Sequence, residues 1–347
     1  MNCGIMKHDL QEKQTLKDAV VNIATSNKGI LQSFVLISLV FLIPATARAY
    51  SYPVDEIKTI EDVKKITALK ENEIDIGWLA LVFAKESFYP ELDIGRYNKL
   101  LDIMALDIKL NLKSIGRDDS DARVRVMNTY FFKVIKFQYD KSDIHGRKKS
   151  NRTINGLMDT NKGSCWSMPL LYLSVAQRLG YPVYPVSAPQ HIFLRYEDPK
   201  LEWKNIEATN GGYSSDEEYI YVFEIPEKGI KSGAYMKTLT YLEFLGEIIA
   251  ENGRYWGTHG NLGKARQYLE LALELQPTGA EIARSLAATY YLLDKEYSGF
   301  NMVNYRNIAR YYLDKAYELG VAELAADNYE KHQKELQNEY LEGRNKK

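Results

Sequence analysis

Three residues carry the chemistry this sequence suggests: Cys165, then His191 26 residues on, then Glu207 a further 16 residues on. A thiol, an imidazole and a carboxylate are the parts of nucleophilic catalysis. The thiolate attacks a carbonyl, the imidazole takes and returns the proton, and the carboxylate holds the ring in the useful tautomer and stabilises its charged form. A free thiol is mostly protonated at neutral pH, and a neighbouring imidazole and a helix N-terminus favour its thiolate. Cys3 is the only other cysteine and falls in a leader-like segment. Without the leader the chain has one thiol and no internal disulfide, and a lone thiol in an oxidising compartment is either buried or used. Taken singly, Cys165 would be a small buried hydrophobe, His191 structural and Glu207 a strand-edge charge. Their joint placement points to a triad.

The elements that must position these residues are legible around them. Asn161-Lys162-Gly163-Ser164-Cys165-Trp166-Ser167 opens a helix that Ser164 can cap, with Leu170, Leu171, Leu173, Val175 and Leu179 on its buried face. Gly180 ends it and Pro182 prevents continuation. Cys165 is thereby expected at the positive end of a helix dipole, where backbone N–H groups can also stabilise an oxyanion. Its own N–H is one expected donor, and Trp166 and Gln190 are neighbouring candidates for the second. Pro189 to Tyr196 and Trp203 to Ala208 read as strands, with Asp198-Pro199-Lys200 as the turn between them. A hairpin symmetric about Pro199 sets His191 opposite Glu207, with the carboxylate on Nδ1 and Nε2 left for the thiol.

The first 49 residues read differently. Ile30 to Ile43 is mostly apolar, Lys28 precedes it, and Ala47 and Ala49 supply small residues for a signal peptidase. This predicts a secretory signal over residues 1–49 cleaved after Ala49, with a retained, extracytoplasmic N-terminal anchor as the alternative. The run is short for a membrane span, which takes about 20 apolar residues. The remaining chain has 40 Lys+Arg against 43 Asp+Glu, a formal charge of −3. That balance argues against nucleic acid as a partner. His145, His259 and His332 show no ligand-like spacing, so neither metal nor cofactor is expected. Asn151-Arg152-Thr153 matches a glycosylation acceptor, a motif common by chance.

Beyond the leader, three parts are expected: a helical stretch over 54–115, a mixed core over 116–228 and a helical end over 233–340. In the first, Tyr97, Leu100, Leu101, Met104, Leu106 and Ile108 recur at near-helical spacing. The last contains an echo. Ala265 to Leu275 resembles Ala309 to Leu319, with alanines seven apart in each copy, an offset of 44 residues. This looks like the second helix of a tetratricopeptide repeat, whose usual period is about 34, with an insertion around Ser298 to Asn304.

At these residues the chain resembles a known family. Gly163-Ser164-Cys165-Trp166 is similar to the nucleophile segment of papain-like proteases, but the compact Cys…His…acid order resembles the transglutaminase-like superfamily. More narrowly, it is similar to the bacterial Sir-type branch with C-terminal tetratricopeptide repeats. Ala84-Lys85-Glu86, Tyr89 to Asp93, Leu170 to Leu173, Arg178-Leu179-Gly180, Pro189 to Phe193 and Asn210-Gly211-Gly212 carry that likeness. The superfamily's third residue is usually Asp, one methylene shorter than Glu207, and many members of the branch lack the cysteine that this chain keeps. The resemblance implies an α+β fold, with a transglutaminase-like cysteine-protease core between a helical N-terminal region and an all-α tetratricopeptide-like end. It also implies a thioester intermediate on Cys165. Hydrolysis of a peptide, isopeptide or amide bond outside the cytoplasm, in the periplasm or after secretion, is the first expectation. Transamidation to an amine and a non-catalytic scaffold for a peptide or protein partner are the alternatives.

Overall fold

The computed structural model describes residues 56–201, 204–297 and 304–322. The export signal expected over residues 1–49 lies outside them, as does Trp203. Among the described residues no helix is long and apolar enough to cross a membrane.

Four helices come first: α1 (Ile60–Thr67), α2 (Ile76–Ser87), α3 (Ile94–Ile115) and α4 (Ser120–Asn128). Asp75, Asp93 and Asp119 cap α2, α3 and α4, each accepting a backbone N–H three residues on. Helix α3 shows how the sequence pattern resolves. Tyr97, Leu101, Met104 and Ile108 fall on one face and are buried, whereas Leu106 lies off that stripe and is 37% exposed. A π-helical turn (Thr129–Ile135) follows α4 and leads into β1 (Gln138–Tyr139). Helix α5 (Ile154–Thr160), strand β2 (Lys162–Gly163), which pairs in parallel with β1, and helix α6 (Ser167–Arg178) come next.

Helix α6 is central. Ten of its twelve residues are buried, so it reads as apolar all round rather than amphipathic. It packs on α2, α3 and α5 on one side and on the sheet on the other. It ends in a Schellman motif: Gly180 has φ +70°, its N–H donates to the Gln177 carbonyl, and that of Tyr181 donates to the Ala176 carbonyl. The sheet is an antiparallel meander of β3 (Val183–Ala188), β4 (His191–Tyr196), β5 (Asn205–Glu207) and β6 (Gly212–Ser214), in that order.

After α7 (Asp216–Val222) and α8 (Glu227–Ser232), the described residues close with α9 (Tyr241–Thr258), α10 (Leu262–Leu275), α11 (Ala280–Glu296) and α12 (Tyr305–Glu318), the last three each packed on the one before. One apolar core runs from Ile57 to Ala322 without a break between the sheet region and these helices. A buried polar knot reinforces the join. Glu86 at the end of α2 accepts from Trp256 Nε1 at 3.0 Å and from the Tyr268 hydroxyl at 3.1 Å, and it pairs with Lys264, whose ammonium lies 3.7 Å over the Trp256 ring.

Candidate active site

Cys165 lies in the turn two residues ahead of α6, slightly outside the helix end expected for it. The reason is local. Ser164 Oγ accepts from the N–H groups of Trp166 (3.1 Å) and Ser167 (3.5 Å), while the Ser164 N–H donates back to Ser167 Oγ. That exchange ties the turn down and displaces the first helical residue to Ser167. Ser164 Oγ donates in addition to the Asn151 carbonyl, 2.7 Å away. Gly163 is required for this packing, because a Cβ there would sit 2.7 Å from Met168 Cγ and 2.8 Å from Ser167 Oγ. The thiol itself is half-buried, and its Sγ lies 3.7 Å from the Gln190 carbonyl.

His191 opens β4 directly after a two-residue turn, Pro189-Gln190, that closes the β3–β4 hairpin at the Ala188–His191 pair. Gln190 has φ +54°, a conformation that favours glycine, and it turns its backbone carbonyl toward the thiol. The strain thus sits at the point where the hairpin presents the imidazole.

The expected β4–β5 register is off by two. Leu194 pairs with Ile206 and Arg195 with Asn205, and the same register continued sets Phe193, not His191, opposite Glu207. A shift of two preserves the face, so Glu207 lies on the diagonal from His191, where neighbours are about 7–8 Å apart and their Cβ atoms somewhat closer. The longer glutamate spans that diagonal: His191 Nε2 donates to Glu207 Oε2 at 2.8 Å. The ring nitrogen is therefore the reverse of the expected one. Nε2 serves the carboxylate, and Nδ1 is left for the thiol.

The carboxylate is held from both sides. Glu207 Oε1 accepts from the Thr209 N–H (2.9 Å) and hydroxyl (2.6 Å), and Oε2 accepts from the Tyr219 hydroxyl (2.9 Å) as well as from His191. The imidazole stacks on Phe223 at 4.7 Å, and Tyr219 stacks in turn on Phe193 at 3.8 Å. Burial by itself would drive the His191 pKa down, but the charge of Glu207 and the hydrogen bond with Cys165 outweigh it, raising it to about 10. Burial would likewise raise Glu207, yet His191 and Thr209 hold it well below the usual carboxylate range. At neutral pH the pair is an imidazolium and a carboxylate.

Of the two neighbouring oxyanion candidates, Trp166 has its N–H committed to Ser164, while its indole packs against Phe244 of α9 with ring centroids 5.8 Å apart. Gln190 offers the site a carbonyl, which is an acceptor, and its side chain is exposed. Among the described residues the Cys165 N–H has no hydrogen-bond acceptor and remains open to a ligand. Behind Trp166 lies a small recess of about 20 Å³, walled by Phe83, Phe88, Arg152, Glu251 and Asn252. Arg152 pairs there with Glu251, so α9 forms part of the surroundings of the nucleophile turn.

The sequence singled out Cys165, His191 and Glu207, and the three side chains meet. It did not single out Thr209, Tyr219, Phe223 or Asn151. Asn151, in the glycosylation-like triplet, is 1% exposed and donates from Nδ2 to Asp140 and Asp143, which leaves no room for a glycan. Thr209 could have been noticed as an N–H and hydroxyl donor two residues after a carboxylate.

A family described as "Transglutaminase-like superfamily" matches residues 95–239, a span that includes α3, the nucleophile turn and the whole sheet. No curated protein matches the chain. The chain is also similar to a solved structure described as "Crystal structure of menin reveals the binding site for Mixed Lineage Leukemia (MLL) protein", over 76% of this chain and 71% of that one, at 12% identity and a TM-score of 0.37. A likeness that low bears on neither fold nor function. Residues 95–239 form a domain of the transglutaminase-like superfamily.

Proposed function

We propose that this protein is an exported cysteine hydrolase of the Sir-type branch, cutting a peptide, isopeptide or amide bond through a thioester on Cys165. The observation that carries the proposal is the buried Glu207 carboxylate, fixed by Thr209 and Tyr219, holding His191 Nε2 at 2.8 Å while the other face of the ring meets the thiol. In the cycle, the Cys165 proton already resides on His191 as the imidazolium, and the sulfur attacks the carbonyl carbon as the thiolate of that ion pair. The resulting oxyanion takes a hydrogen bond from the Cys165 N–H, with the Gln190 carboxamide as the candidate for a second. Collapse expels the amine, which leaves with the proton from His191, and the acyl group stays on sulfur. Water, deprotonated by His191, then attacks the thioester and releases the acid and the thiol. An amine in place of water gives transamidation.

The C-terminal helices fit the role of a tetratricopeptide-like partner surface. Ala265, Ala272, Ala309 and Ala316 are all buried at corresponding places in α10 and α12, and Asn261 and Asn304 cap those helices in the same way. Tyr291, Leu292, Tyr311 and Tyr317 on the last two helices are exposed and favour a scaffold role alongside catalysis.

The test is the rate of iodoacetamide alkylation at Cys165 against pH, beside His191→Gln. A rate that is flat through neutral pH in the native protein, and rises only toward pH ~8.5 in the variant, is expected. Labelling that needs unfolding, or a native profile like that of a free thiol, overturns the nucleophile.

A further inference from the structure

The loop from Asp140 to Arg152 wraps the residue before the nucleophile. The Asp140 N–H donates to the Gly163 carbonyl at 2.8 Å, the Asn151 carbonyl accepts from Ser164 Oγ, and a Cβ on Gly146 would lie 3.5 Å from that of Ser164. Its sequence mixes Asp140 and Asp143 with five Lys and Arg residues, and its fold sorts them. Asp140 accepts inwardly from Ser142, Lys148 and Asn151, and Asp143 from the Arg147 and Lys148 N–H groups and from Asn151. Asn151, Ser142 and Lys148 keep Asp140 well below the usual carboxylate range, so these charges are spent on building the loop.

The bases point outward. Lys141, Arg147, Lys148 and Lys149 are all exposed. Only Lys148 has a carboxylate partner among the described residues, and Lys149 lies 4.5 Å over the Tyr89 ring. On the opposite wall, exposed Glu224 follows the Phe223 that stacks on His191. A chain with a formal net charge of −1 thus carries three exposed bases, Lys141, Arg147 and Lys149, on the loop that wraps Ser164 beside the cysteine.

We propose that this loop is a carboxylate-binding surface, and that the peptide taken by the site is acidic on the side lying along Lys141, Arg147 and Lys149. This rests on Cys165 being the nucleophile. A positive rim on a cleft concentrates anionic ligands and speeds their arrival, and the effect collapses with salt.

The experiment compares iodoacetate with iodoacetamide as alkylating agents for Cys165, in the native protein and in a Lys141→Glu/Arg147→Glu double variant, at low salt and at about 0.5 M. The iodoacetate-to-iodoacetamide rate ratio is expected to exceed that of N-acetylcysteine by about tenfold at low salt. It should fall toward the free-thiol ratio in high salt and in the double variant, the ratio cancelling any change in thiol reactivity common to both reagents. Hexaglutamate is expected to slow iodoacetamide labelling, and hexalysine to leave it alone. A free-thiol ratio, an enhanced ratio that survives the charge reversal, or equal effects of the two peptides would each overturn the proposal while leaving the nucleophile intact. Failure of both reagents to label the folded protein overturns the nucleophile, and this proposal with it.

Discussion

The two sides of the site are built on different principles. On the sheet side, His191 is buried, stacked on Phe223 and bonded to a carboxylate that has three further donors of its own. On the helix side, Cys165 is half-buried in a turn, and its sulfur touches a backbone carbonyl at 3.7 Å. Here the fixing bonds go to its neighbour Ser164 instead. On the proposed function, with His191 as base and Cys165 as nucleophile, the difference follows from what each group would have to do. A base is useful only in one tautomer and orientation, so its surroundings over-determine it. A nucleophile must approach a carbon that is not yet there, so its backbone is fixed and its side chain is left room to move.

The largest expected effect comes from breaking the rigid side. Glu207→Gln removes the charge that keeps His191 protonated and leaves the burial that opposes it. Turnover should drop by about 10²–10⁴-fold and alkylation at pH 7 by about 30-fold as the thiol returns toward its free pKa of ~8.5, and His191, followed by its ring-proton NMR signals, should titrate far below 10. An unmoved titration would mean that Glu207 does not control the ring. Glu207→Asp is the finer version. It keeps the charge and loses the methylene that spans the diagonal, so a loss of about 10- to 100-fold is expected. Full activity with aspartate would show that the diagonal does not limit the geometry.

The same contrast explains which parts could be read from the sequence. The meeting of Cys165, His191 and Glu207 was legible because each is chemically distinctive and the spacing brings a helix start against a hairpin. Helix α6 was legible from its apolar run and its Gly180-Tyr181-Pro182 stop. The register was not. The turn after Asp198 is closed by a hydrogen bond from Leu201 N–H to the Asp198 carbonyl, and Tyr196 N–H donates to the Lys204 carbonyl, so the link is not centred on Pro199. The ring nitrogen followed from the register and shared its error. Thr209, Tyr219 and Phe223 converge on the site only because β6 and α7 fold back over β4, and no local pattern encodes that return. The sorting of charges in the 140–152 loop was hidden for the same reason, since composition does not say which side chains turn inward.

Stability should carry the signature of the ion pair at both ends of the pH range. His191 has its pKa raised in the folded state, from 6.5 to about 10, so the stability it contributes is complete below pH 6.5 and drains away as pH rises through 10. Glu207 is lowered from 4.5, so its contribution is present above pH 4.5 and is lost as pH falls below that. The pair therefore supports the fold most fully between about pH 4.5 and 6.5. Urea midpoints across pH 4 to 10 for the native protein and for a His191→Gln/Glu207→Gln double variant should differ in slope, the variant being flatter above pH 6.5. Parallel curves would mean that the two charges are not coupled to folding.

The smallest effects give the sharpest contrast between the two sides. Tyr219→Phe removes one of the donors to Glu207, and Ser164→Ala removes the hydroxyl that ties the nucleophile turn to Asn151 and α6. Each should cost about 1 kcal/mol of stability, so stability alone does not tell them apart. The pH profile of alkylation does. Without the Tyr219 hydroxyl, Oε2 has one donor fewer and its charge is shared with His191 alone. That strengthens the imidazolium and moves the alkaline limb of the profile upward, with little change in the plateau. Without the Ser164 hydroxyl the base is untouched, so the limbs stay in place and the plateau falls because the turn no longer holds Cys165 against the ring. If both variants shift the limbs, or both lower only the plateau, the two sides are not independent and the division of labour between a fixed base and a mobile nucleophile fails.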